Sequence, residues 1–179
     1  MSRTVKWITR TAILLALTVV FQSLRVLLPI IPVNISQYII GSLVNLCLIV
    51  AAVVVGIKSG LVIAVVAPII ALVQGFTPFP VLAVPIALGN LVLVIAAALL
   101  YKRNTLLAFA AGAVLKFLTL YVGVIMIVVP FFLPKDAPAK MTAALSVQFS
   151  WPQLVTACIG GILAALVLPV LNKTIKESQ

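Results

Sequence analysis

Two cations stand inside apolar stretches with no residue of opposite charge to meet them. Lys116 falls in the run Thr105 to Pro130, and Arg25 falls near the end of the run Trp7 to Leu28. Counted from Arg103 along a helix rising 1.5 Å per residue, Lys116 lies roughly 20 Å deep, near mid-bilayer. Arg25 lies 15 residues beyond Arg10 and belongs toward the opposite end of its helix. The chain has only 2 acids, Asp136 and Glu177, and neither sits in an apolar run. A cation in hydrocarbon is costly, so such residues face a cavity or a pathway. Their partner is then a backbone carbonyl, a water, or an anionic group of a bound molecule. For Arg25 the competing reading is snorkelling to outer headgroups. For Lys116 it is a cation satisfied by Asn90 or by carbonyls, or a lysine held neutral by burial.

Uncharged polar residues extend this set. Asn45, Gln74, Asn90 and Gln148 either line the same cavity or pair between helices. Asn34 and Gln37 belong to a polar, uncharged first loop, Pro29 to Tyr38, and are candidates for the same ligand. Trp151, in Ser150-Trp-Pro-Gln153, either anchors at the membrane interface or stacks on a flat ligand. Most of these residues fall on the outer halves of their spans.

What is missing narrows the chemistry. With no His and 2 acids, acid/base catalysis and metal ligation have almost nothing to work with, and no cofactor is expected. A membrane enzyme is disfavoured for the same reason. Cys47 and Cys158, each in mid-span, read as buried small hydrophobes rather than a disulfide or a metal pair. No Gly-rich loop ends in Gly-Lys-Ser/Thr, so nothing points to ATP hydrolysis by this chain. No intramembrane Asp, Glu or His forms a proton relay. Uphill movement of a solute would therefore draw its energy from a partner.

The elements that must position these residues are transmembrane helices. Of 179 residues, 65% are hydrophobic and 8% charged, against about 25% charged in soluble domains. The composition predicts an all-α membrane protein, a bundle of six transmembrane helices in one domain. The spans are expected at about 7–28, 39–55, 61–74, 81–101, 105–130 and 148–171. Gly56 to Gly60 reads as a tight turn at Lys58, Pro68 should kink the third span, and Phe131 to Val147 reads as the longest loop. The basic start and apolar run at the N-terminus read as a retained span rather than a cleaved signal. The net charge of +10 reports topology and anionic headgroups of the lipid bilayer, and no nucleic-acid partner is expected. With the N-terminus inside, eight basic residues flank the inner span ends and two, Lys135 and Lys140, the outer. Both termini are thus expected in the cytoplasm. No internal repeat supports an inverted-repeat carrier.

Ala12 and Ala16, four apart in Thr11-Ala-Ile-Leu-Leu-Ala16, form a flat strip on which another helix could dock. With the six spans, the basicity and the inward termini, this Ala-x-x-x-Ala pattern resembles the substrate-binding S component of an energy-coupling factor (ECF) vitamin transporter. The resemblance covers nearly the whole chain. It implies that the two alanines contact a transmembrane coupling subunit, which carries two cytoplasmic ATPases. It also implies a vitamin bound near the outer side, capped by the first loop. The thiamin-type aromatic and acidic signature in span six is absent. The uncompensated cations lean toward an acid-bearing vitamin such as pantothenate, niacin or biotin, or toward the phosphate of cobalamin. The alternative is a self-sufficient small carrier or channel acting as an oligomer.

Overall fold

The computed structural model describes residues 2–27, 32–134 and 138–177, except the side chains of 33, 34 and 175–177. Among the described residues the chain is helical and has no strand. The long elements are α1 (Arg3–Leu27), α2 (Val33–Val50), α3 (Ile57–Val73), α4 (Ala83–Leu100), α5 (Thr105–Leu120) and α8 (Trp151–Glu177). Three shorter pieces follow α5: a wide-turned π segment Tyr121–Val128, a last turn α6 (Val129–Phe132), and α7 (Ala139–Gln148). Five apolar helical stretches are long enough to cross a bilayer, and α3, at 17 residues, is a shorter sixth.

Several boundaries differ from the sequence expectation, each for a local reason. The second helix begins at Val33 rather than Ile39, since Pro32 caps it with φ −53°. A proline there suits a helix start, where the missing N–H is not needed. Most of the expected first loop, Gln37 included, is therefore helical. The turn after α2 falls on Gly56 and not on Lys58. Ala51–Val55 widens into a π turn, closed by Gly56 N–H to the Ala51 carbonyl at 3.0 Å. Gly56 then reverses the chain at φ +123°, a conformation that favours glycine. Lys58, Ser59 and Gly60 already belong to α3.

The expected long loop Phe131 to Val147 also needs correcting. It holds α6 and α7, the latter rich in helix-forming Ala, Met and Leu and started after Pro138. Its low hydropathy hid it. Gln148 closes α7 instead of opening the last span, which starts at Trp151. Lys135 and Asp136 lie outside the described residues, as does the side chain of Glu177.

Two apolar cores hold the bundle. The larger joins α2, α3, α4, α5 and α8 through residues such as Leu48, Ile63, Leu93, Phe109 and Leu168. The smaller lies toward the end of the bundle where α1 gives way to α2, called the upper end here, and includes Leu82, Leu120, Val124 and Phe149. Along α4 and α5, Asn90 and Lys116 fall between the two. Helices approach closely through glycine: a Cβ on Gly160 of α8 would stand 2.6 Å from Asn45 Cβ and 2.9 Å from the Ser42 carbonyl of α2. Cys47 is buried, but Cys158 is exposed on the outside of α8, against expectation.

Candidate functional site

Lys116 is carried on α5 into the centre of the bundle and is 5% exposed. Its Nζ donates to Asn45 Oδ1 of α2 at 2.6 Å and to Asn90 Oδ1 of α4 at 2.7 Å. An ammonium has three donors, so one is left without an acceptor among the described residues. Both asparagines are turned so that their oxygens face the lysine, and their amide nitrogens go elsewhere. Asn45 Nδ2 reaches Thr156 Oγ1 of α8 at 3.5 Å.

Asn90 Nδ2 reaches the Ala64 carbonyl of α3, also at 3.5 Å. That carbonyl is the one Pro68 frees, because proline has no N–H to return to the residue four back. The expected kink is thus answered by a side chain from α4, and α3 stays helical through Pro68. One hydrogen-bonded chain ties α3, α4, α5, α2 and α8 around the lysine.

Above this network opens a cavity of about 160 Å³. Its floor holds Lys116, Asn45 and Asn90, and its sides hold Gln37, Gln148 and Arg25, all expected from the sequence. The sequence expectation missed Gln22, Phe76, Thr77 and Gln153 in the same walls. Gln22 stands one helical turn before Arg25, and that spacing was the available signal; Gln153 follows Gln148 across the break between α7 and α8. Among the described residues no Asp or Glu lines the cavity; the side chains of Asp136 and Glu177 lie outside them.

Arg25 sits over the ring of Phe76, with its guanidinium carbon 5.3 Å from the ring centroid. Cation–π contact of this kind holds the group without neutralising it. Its Nε is buried and has no hydrogen-bond partner.

The other expected residues stand apart. Gln74 caps α3 and donates Nε2 to Ser23 Oγ at 3.0 Å, behind the cavity wall. Trp151 is 58% exposed and does not line the cavity; its ring lies 6.0 Å from that of Tyr38, tilted by 38°. The side chain of Asn34 lies outside the described residues. Ala12 and Ala16 are exposed on the outward face of α1, while its inward face pairs Thr11 Oγ1 with Ser59 Oγ of α3 at 3.0 Å.

A family model, ECF transporter, substrate-specific component, matches residues 6–172. The chain belongs to that family. It is a substrate-specific ECF transporter subunit, a multi-pass membrane protein that binds a small molecule, works with ECF module partners and is not itself the ATPase. No curated protein and no solved structure matches the chain. The polar side chains on the cavity floor already hydrogen-bond to other protein groups.

Proposed function

We propose that this substrate-specific component captures a vitamin-like molecule bearing a carboxylate or phosphate. Lys116 and Arg25 supply its cationic contacts, and Asn45, Asn90, Gln37 and Gln148 its neutral ones. The supporting observation is a cavity with two cations and no acid among its lining residues. Pantothenate, niacin, biotin and cobalamin are the candidates. Asn34, Gln74 and Trp151 complete the site if the upper end closes on the ligand.

Release into the cell requires a transmembrane coupling subunit, docked on the exposed Ala12–Ala16 strip and carrying two cytoplasmic ATPases, with both termini cytoplasmic. Mass spectrometry of the small molecule that co-purifies with the chain tests the ligand class. An organic acid or phosphate ester is expected, and a cationic or uncharged molecule would overturn the reading.

A further inference from the structure

The polar atoms on the α1 wall that no protein group satisfies specify more than an anion. Gln22 and Arg25 are three residues apart, on one face of α1, and both line the cavity. Gln22 donates Nε2 to the Ala67 carbonyl at 3.2 Å. A carbonyl can only accept, so this contact fixes the amide with its oxygen on the other side. That Oε1 is buried and has no partner.

Gln74 repeats the arrangement. Ser23, between Gln22 and Arg25, gives its hydroxyl hydrogen to the Val19 carbonyl at 2.9 Å, so its oxygen can only accept from Gln74 Nε2. Gln74 Oε1 is likewise buried and unpaired. Arg25 Nε is the matching unpaired donor. Gln74 does not line the cavity, whereas Gln22 and Arg25 do; buried polar groups are nearly always hydrogen-bonded, so Gln22 Oε1 and Arg25 Nε state what a ligand must bring.

We infer that the ligand is an acid that also carries hydroxyl or N–H donors, its acceptor meeting Arg25 and a donor meeting Gln22 Oε1 one turn away. The inference rests on the anionic-ligand reading above. An acid with acceptors alone would satisfy Arg25 but set its lone pairs against the Gln22 oxygen. It would also displace any water that donates to that oxygen without replacing the hydrogen bond, which lowers affinity.

The test is calorimetry on the purified chain in nanodiscs with five probes. Pantothenate and biotin are acids with donors, nicotinate is an acid without one, riboflavin is uncharged and thiamin cationic. Pantothenate or biotin is expected to bind at least about tenfold more tightly than nicotinate, and Gln22→Leu to shrink that ratio by about tenfold, the worth of one hydrogen bond. Gln22→Leu also cuts the tie to α3, but a general loosening weakens both acids alike and leaves the ratio standing. Nicotinate binding as tightly as the donor-bearing acids, or a ratio unmoved in Gln22→Leu, would overturn the inference alone. Binding of riboflavin or thiamin in place of every acid, or no binding by any acid, would overturn the anionic-ligand reading together with it.

Discussion

Lys116 is held by two neutral oxygens, which accept its hydrogens and bring no opposing charge. On the anionic-ligand reading, its ammonium at the cavity floor anchors the anion better than Arg25, which is half-buried and screened nearer the surface. Lys116→Ala is therefore expected to weaken binding of the anionic ligand by at least about tenfold, and by more than Arg25→Ala does. Calorimetry on the purified chain reads this directly, and unchanged affinity in Lys116→Ala would discard the lysine as an anchor. These two cations were legible in the sequence because a charge among Leu, Val and Ala has no cheap structural role. Gln22 and Phe76 were not, because an amide or a ring in an apolar helix or loop most often only packs. Only the committed nitrogen of Gln22, and the guanidinium over Phe76, distinguish them.

Among the helices, the pairing of Pro68 with Asn90 makes a sharper prediction than either residue alone. Pro68→Ala restores an N–H to the Ala64 carbonyl, so the Asn90 amide loses its purpose there. Asn90→Ala should then destabilise the protein less in the Pro68→Ala background than in the parent, with a coupling of about 0.5–1 kcal/mol. Thermal unfolding in detergent measures the cycle, and strict additivity would show that Asn90 does not serve the proline. Gly160→Ala makes a second test. Its Cβ would meet Asn45 Cβ and the backbone of α2, so α8 must move away. A loss of about 1–3 kcal/mol is expected, with weaker ligand binding, because Asn45 shifts with its helix.

The long apolar helices were legible from hydropathy alone, whereas α7 and the start of α2 were not. Pro32 and Pro138 read equally well as loop residues and as helix starts until the following turns are seen to hydrogen-bond. The same ambiguity made Gly56 to Gly60 look like one turn, although a single glycine with positive φ suffices.

At the scale of the whole molecule, α1 is the least enclosed of the long helices, and its small-residue strip faces away from the bundle. Ala12→Trp or Ala16→Trp is expected to abolish uptake by the assembled transporter while leaving ligand affinity unchanged, because a large ring blocks close helix approach. Loss of binding in the purified variant would mean that the strip supports the chain's own fold. Purified chain in liposomes without its module should bind ligand and show no sustained uptake; ATP-independent flux would restore the self-sufficient carrier.

The sequence by itself determined that the chain is a helical membrane protein and that Lys116 and Arg25 have no acid in their own spans. Those conclusions follow from composition and order, which no folding can change. Only the tertiary structure decided that Asn45 and Asn90, 45 residues apart, share one lysine, and that α1 turns its glutamine inward and its alanines outward. Which face of an apolar helix meets a neighbour depends on packing against partners distant in sequence, and an almost uniformly apolar helix gives little periodicity from which to read it.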